Sequence, residues 1–478
     1  FVFAFKATHN HVSLSRQRLL CNRTAPIVSF AEGSSEEDKL FVLGCLSSSV
    51  ALWWLKQVTQ TYPGNEGWDD RHEIDSGKLS RLPLPAQRPS SHAAAIDLCS
   101  HALIDTLHSL MDSSEPNLHG GELAVERLRR RLVGLQEDLD WLTYSHYGLI
   151  EERLFMEPGE TPELARGERA FEIVLARRIA AGEVESSWFV RHGSTPITEL
   201  PDRWSDEYRA VVERRIELIS SDRFVGLVER PEYKRRWNWE SWDDLEAEAL
   251  QGWLLARLED SRFWPRPEPR SVADLASEAR RDGEFVQVAE LYRKRPDVDL
   301  EELIGELVRE EAVPFLAAWR YKDSGLRKRA EWERTWELQR AEDAGEDVGN
   351  IPVPPKYAKA DFRRGEYWPL RGKLDVPKER FVSYPGLERD TDPTAVVGWA
   401  GWDHLDQARA LAAVLHQRQT VDGWEPERLV PIVAGLAELV PWLLQWHNDV
   451  DPETGERLGE FFAGFVSTET ARLGLSAE

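Results

Sequence analysis

Three cysteines in 478 residues leave no room for a disulfide framework, and Cys21, Cys45 and Cys99 lack the paired CxxC spacing of a metal site. A reducing compartment suits such a chain, so a cytoplasmic location is expected. No run of eighteen apolar residues is present; the nearest stretch, Leu40 to Leu55, is broken by Gly44 and three serines, and no membrane partner is expected. The first residues lack a basic segment followed by an apolar one, so they do not form a signal peptide. The chain has no GxGxxG after a strand, no GxxxxGK[ST] loop, no GxSxG elbow and no HExxH. An Asn/Asp-Pro-Pro-aromatic tetrapeptide is missing too, since Asp392-Pro393-Thr394-Ala395 does not qualify. No catalytic, metal or cofactor residue is therefore assigned within this chain.

What is present reads as a globular protein of two to four domains: 41% hydrophobic, 30% charged, with 20 Trp and only 2 Met. The net charge of -24 argues against a surface that attracts nucleic acid everywhere. The charge is polarised, however. Residues 1 to 30 carry Lys6, Arg16, Arg18 and Arg23 and no acid, and residues 353 to 380 carry eight basic side chains against four acids. An anionic partner would land on these two islands.

The opening FVFAF places Phe1, Phe3 and Phe5 on one face, the period of a β-strand, and Ala25 to Phe30 reads as a short returning strand. The chain starts inside a strand and without Met. Ser34 or Ser35 caps a helix whose apolar stripe runs Leu40, Leu43, Leu46, Val50, Trp53, Trp54. LSRLPLP, preceded by Lys78, is an extended segment closed by proline. Two helices follow, Ala93 to Met111 and Glu122 to Tyr144, the second with a leucine seam at 128, 132, 135, 139 and 142. Pro158 and Pro162 mark a linker. Beyond it the spacing predicts helices over 165–181, 206–220, 243–258, 272–281, 300–309, 325–342, 404–419, 428–446 and 458–473. Between the sixth and seventh, Pro- and Gly-rich residues with buried-type aromatics predict an ordered arm. The expectation is a mainly α, α+β protein: 1–158 a strand-rich domain with a helical hairpin, 159–345 helical, 346–478 the arm and terminal helices.

Four motifs invite chemistry. His9-Asn10-His11 is not an HNH nuclease centre, because adjacent side chains on an extended segment point to opposite sides and only His9 and His11 can share a face. The loop Asp449 to Glu460 has acids at EF-hand positions one, three, five and twelve, but Thr454 stands where the sixth-position glycine belongs, so calcium is not expected. RLRRR (Arg127 to Arg131) reads as a solvated helix face, and the tryptophans of WNWESW (Trp237 to Trp242) as core.

Several blocks in order carry a family resemblance. FKATHNHVSLSRQRLLCNRTAPIVSF, KLFVLGCLSSSVALWWLKQ, KLSRLPLP and Glu137 to Tyr144 with Tyr147-Gly148-Leu149 resemble the recognition half of large bacterial adenine-specific DNA methyltransferases. One departure is Ser47-Ser48-Ser49, where that family has Asn-Ser-Ser. The long stretch FLAAWRYKDSG through RFVSYPG is similar to the C-terminal region of the methyltransferases of type 2 BREX phage-defence systems. The resemblance implies methyl transfer from S-adenosylmethionine to adenine N6 by a half that this chain does not contain. Target recognition on double-stranded DNA would fall to this one, beside its own methyltransferase domain. Other BREX proteins or a phage-encoded inhibitor are implied as further partners. The side chains of the right type for DNA are Lys6, His9, Asn10, His11, Arg16, Arg18, Arg23, Lys78, Lys356, Lys359, Arg363 and Arg364. The rival expectation is a scaffold that assembles defence components.

Overall fold

The computed structural model describes residues 1–16, 22, 24–111, 120–452 and 455–475. In chain order the elements are β1 (Val2–Phe3), β2 (Lys6–Ala7), β3 (Val12–Ser13), α1 (Glu36–Ser47), α2 (Ser49–Val58), β4 (Gln60–Tyr62), β5 (Arg71–Glu73), α3 (Ser76–Leu79), α4 (Ser90–Leu110) and α5 (Gly121–His146). Then come α6 (Ala170–Ala180), α7 (Trp188–Arg191), α8 (Asp206–Ser221), α9 (Arg223–Val228), α10 (Trp242–Leu258), β6 (Arg270–Ser271), α11 (Val272–Ala279), α12 (Gly283–Arg293) and α13 (Leu300–Glu310). The chain closes with β7 (Ala312–Pro314), α14 (Ala317–Arg320), α15 (Asp323–Asp343), α16 (Tyr367–Arg371), β8 (Phe381–Ser383), β9 (Val396–Trp399), α17 (His404–Thr420), α18 (Pro426–Trp446) and α19 (Leu458–Arg472). The architecture is the mainly α, α+β class expected. Among the described residues, those up to Leu245 form one compact unit and those from Glu246 on form a second. The expected boundaries at 158/159 and 345/346 fall inside these units.

In the first unit β1 pairs with β3, and β2-β5-β4 form an antiparallel sheet. The returning segment is less regular than a strand. It pairs through Val28 N–H to Phe1 O (2.9 Å) and Phe3 N–H to Pro26 O (3.1 Å). Phe1 and Phe3 are buried with Leu43, Leu46, Leu55 and Leu79. The expected single helix from Ser35 is capped as read, by a Ser35–Asp38 capping box, but it bends by 66° at Ser48 into α1 and α2. The serine triplet is the cause. Ser48 is extended (ψ 157°) and its hydroxyl caps Ala51 N–H, so the second helix starts afresh. Of LSRLPLP only the start departs from the extended reading, because Leu79 ends a turn of helix over Ser76–Leu79 that Asp75 caps.

The leucine seam of α5 packs on α4, burying Leu132, Leu135 and Leu139 with Leu103 and Leu110. The segment read as a linker lies bound along α5: Thr161 donates to Asp138 (2.6 Å), Leu164 N–H to Arg130 O (3.1 Å), and Arg131 donates to the carbonyls of Pro158 and Thr161. The chain comes so close here that a Cβ on Gly134 would stand 2.2 Å from Pro162 O. Gly134→Ala is expected to lower the first unit's stability by about 1–3 kcal/mol, read as a shift in the urea midpoint. An unchanged midpoint would show that the segment is not fixed there.

The second unit holds a four-stranded sheet, β6-β9-β8-β7, in which only β7–β8 is parallel. Its core runs through α10 to α13, and α17, α18 and α19 pack as a second layer of helices. α18 is long and apolar enough to span a membrane, which the sequence suggested of no segment. It is interrupted by Pro431 and Pro441 and packs Ile432, Val433, Leu436 and Leu443 into this unit's core. The arm is ordered, its Tyr357, Phe362 and Tyr367 buried against Val313, Ala317 and Tyr321.

Candidate nucleic-acid interface

The tripeptide after β2 divides as its geometry requires. Asn10 turns inward, is 2% exposed, and donates its amide to the carbonyls of Leu46 and Ser48 (the latter at 3.1 Å), fixing the α1–α2 bend. His9 and His11 lie on the other side with ring centres 3.7 Å apart. His9 is buried and His11 is at the surface. Asn10 thus serves the fold and presents no amide to a base.

Around the two histidines the fold gathers cations from distant parts of the chain. Lys6 lies over the Tyr62 ring at 3.2 Å, and Arg71 stands exposed on β5, opposite Tyr62. Neither makes an ion pair among the described residues. Lys56 at the end of α2 has its Nζ buried without a hydrogen-bond partner. Arg235 and Arg236 approach from the segment between α9 and α10. Arg236 has a loose contact with Asp69 (3.7 Å) and Arg235 packs over Trp237 (4.9 Å). His72 is 5% exposed on β5, with Nδ1 2.9 Å from the Thr59 hydroxyl.

These groups disturb one another's protonation. Burial, His11 and the charges of Arg235, Arg236 and Lys56 hold His9 well below the ordinary histidine range. Desolvation with Arg235 and Arg236 pulls His11 down to about 4. Burial, with Lys56 working against Asp70, brings His72 to about 4 as well. Lys56 itself is pushed down to about 8, by burial first and then by Arg236, with Asp70 and Glu232 opposing. Burial is the first cause of each shift, and the mutual suppression of these bases adds to it in a region rich in positive charge. An open cavity of about 360 Å³ sits in it, lined by Ala4, Lys6, Ala7, Thr8, His11 and Arg71.

A buried ionic network supports this face. Lys234, directly before the two arginines, places Nζ 2.7 Å from Glu229, 2.8 Å from Asp140 and 4.0 Å from Glu137. Asp140 also accepts from the backbone N–H (2.8 Å) and hydroxyl (2.6 Å) of Ser49, at the start of α2. Arg215 of α8 bonds Asp138 (2.5 Å), and Tyr144 donates to Glu229 (2.5 Å). Burial and the nearby Glu137 raise the Glu229 carboxyl, while Lys234 opposes. The Glu137–Tyr144 block is therefore a structural core that fixes α2 and the Lys234–Arg236 segment.

The other candidate residues are dispersed. Arg16 pairs with Glu36 and Asp97 (2.7 Å to the latter), so its island is not acid-free in three dimensions. Lys78 bonds Asp75 (2.9 Å) and Glu73 O (3.1 Å). Arg18 and Arg23 lie outside the described residues. In the second unit Lys356, Lys359 and Arg364 are exposed, and Arg363 donates its Nε to Ala318 O and Tyr321 O. Of the RLRRR run, Arg129 is buried beside Trp239 (5.4 Å), Arg131 holds the bound segment, and Arg127 and Arg130 pair with Glu163 and Glu126. Trp237 is core. Lys56, Arg71, His72, Arg235 and Arg236 are the residues the sequence reading missed. Only Lys234-Arg235-Arg236, a visible basic triplet, could have signalled them.

Residues 132–478 match a family model described as "Domain of unknown function (DUF7008)". The chain is 45% identical over 506 aligned positions to "Adenine-specific methyltransferase PglX" of Streptomyces coelicolor (strain ATCC BAA-471 / A3(2) / M145). That alignment covers 99% of this chain and 41% of the relative, so the chain spans about two fifths of the length of the curated protein it matches. No solved structure matches. The chain belongs to the DUF7008 family and is related to PglX along almost its whole length.

Proposed function

We propose that this chain provides DNA target recognition for a site-specific adenine-N6 DNA methyltransferase of a BREX anti-phage system. The observation that carries the reading is the gathering of the basic residues Lys6, His11, Lys56, Arg71, Arg235 and Arg236 on a chain of net charge -24, with Lys6 and Arg71 outside any ion pair among the described residues. An acidic protein that gathers basic side chains on one face has a place for a polyanion, and a relative named an adenine-specific methyltransferase supports reading that polyanion as duplex DNA. The parent enzyme would take its methyl group from S-adenosylmethionine. With no Asn/Asp-Pro-Pro-aromatic tetrapeptide in this chain, no step of methyl transfer is assigned to its residues. Lys356, Lys359, Arg363 and Arg364 form a second proposed phosphate-contacting strip, on the second unit.

The test is binding to labelled duplex DNA across a salt series. Lys6→Glu/Arg71→Glu is expected to weaken binding about tenfold or more and to flatten the log–log salt slope by about two. Lys356→Glu/Lys359→Glu/Arg364→Glu, run alongside, reports whether the arm contributes.

A second reading, a scaffold for other defence components, is favoured by exposed apolar side chains on α18 and α19: Leu444 (40% exposed), Trp446 (62%) and Phe461 (49%). Salt-insensitive behaviour with no DNA binding at low salt would move the conclusion to it.

A further inference from the structure

We propose that the cavity lined by Ala4, Lys6, Ala7, Thr8, His11 and Arg71 is the seat of a single phosphate group, whose arrival is accompanied by protonation of His11. The inference deepens the DNA reading, on which it rests, by naming the chemical group that the first unit grips.

Three observations carry it. First, Lys6 and Arg71 line one cavity of about 360 Å³. Among the described residues neither forms an ion pair with a carboxylate, whereas Arg16 and Arg88, exposed in the same unit, do. Lys6 instead lies on the face of Tyr62, which orders the ammonium without neutralising it. Second, the cavity is backed by further cations. Arg235 and Arg236 act on both His9 and His11, and Lys56 acts on His9 and His72. The nearby acids hold other groups as well, although Glu73 stands opposite Lys6 in the β2–β5 register and Asp70 acts on Lys56 and His72. Asp69 meets Arg191 (3.5 Å) and Arg236, Asp70 accepts from Gly64 N–H (2.8 Å), and Glu73 accepts from the Tyr62 hydroxyl (2.9 Å). Glu232, which acts on Lys56, packs beside Gly67. Third, His11 is the one histidine of the three that lines the cavity, its ring tilted at 43° against that of buried His9, and an anion there offsets part of the burial and charge that keep it neutral. A phosphate fits this chemistry better than a carboxylate, because Arg71 can hold two of its oxygens while Lys6 and a protonated His11 hold the others.

A backbone phosphodiester and a free phosphate share that chemistry, and the experiment separates them. The full chain is titrated with inorganic phosphate at constant ionic strength, with the His11 ring protons followed by NMR at two pH values, and labelled duplex DNA is then competed with phosphate. Lys6→Ala/Arg71→Ala, two exposed positions whose folding is checked by circular dichroism, is the comparison. Phosphate affinity is expected to fall about tenfold or more in the variant and to rise several-fold in the wild type between pH 8 and pH 6, with the His11 resonances shifting. Competition with DNA marks the backbone as the source, and phosphate binding without competition marks a free anion. Phosphate affinity equal in wild type and variant, or unmoved His11 signals, would overturn the seat while leaving salt-dependent DNA binding untouched. DNA that fails to bind while phosphate binds would overturn the DNA reading alone.

Discussion

Replacing Lys234 with methionine is expected to remove about 3–5 kcal/mol from the first unit's stability. The lysine is fully buried against the carboxylates of Glu229, Asp140 and Glu137, with the Tyr144 hydroxyl at 3.4 Å. A buried ion pair adds little net stability over an apolar substitute of the same shape, but removing one partner leaves the other charge uncompensated in a low dielectric. Here Glu229 and Asp140 would lose their nearest cation, while Glu137 would keep Arg215 at 3.7 Å. Glu229, already raised by burial and by Glu137, would take up a proton first, which limits the loss. The single variant should therefore fall well below Lys234→Met/Glu229→Gln in urea midpoint, although the double variant carries more changes. Equal midpoints would mean that the network is hydrated and the buried charges are not the cause. The effect extends to function, because Lys234 positions Arg235 and Arg236. Lys234→Met should weaken DNA binding even where the protein stays folded, as a positioning residue would.

The same residues show what was legible in the sequence. Helices with a regular apolar stripe were readable nearly to their ends: 206–220 as Asp206–Ser221, 243–258 as Trp242–Leu258, 404–419 as His404–Thr420. Each is specified locally by a cap and a 3.6-residue period. The bend at Ser48 was not readable, because the apolar stripe continues across it. The serine cap at Ser48 is held in place from afar: Asp140 and Gln136 of α5 bond Ser49 and the carbonyl of Ser47. The candidate site fails in sequence for the same reason. Arg16 sits in an acid-free window of sequence, yet its acids, Glu36 and Asp97, come from α1 and α4. Asn10 has the right chemistry to read adenine and uses it on backbone carbonyls. Lys56, Arg71, His72, Arg235 and Arg236 are ordinary charges one by one, and only the fold makes them a cluster.

Acidification should destabilise the first unit while strengthening its hold on an anion. His72 carries the first half of this. Thr59 donates its hydroxyl proton to Leu55 O (2.7 Å), so the hydrogen-bond network assigns the hydrogen between Thr59 and His72 to the histidine Nδ1. The ring is neutral in the fold, with its pKa brought from 6.5 to about 4 by burial and Lys56. Between those values the unfolded chain binds more protons than the folded one, so stability is fully present above pH 6.5 and is lost as pH falls towards 4. Over that window His72 alone accounts for about 3 kcal/mol, and buried His9 adds a loss of the same sign. In thermal melts the wild type should lose roughly 5–10 °C between neutral pH and the low end of the window. His72→Gln, which cannot titrate, should show a visibly flatter profile from a lower starting point. Parallel profiles would place the acid sensitivity elsewhere. The second half follows from His11, which gains a proton with bound phosphate: affinity rises over the same interval in which stability declines. Bound DNA should therefore protect the unit more strongly at pH 6 than at pH 8, because ligand that binds the folded state alone stabilises it in proportion to its affinity. A protection that does not change with pH would separate His11 from the anion and leave the acid loss to His9 and His72.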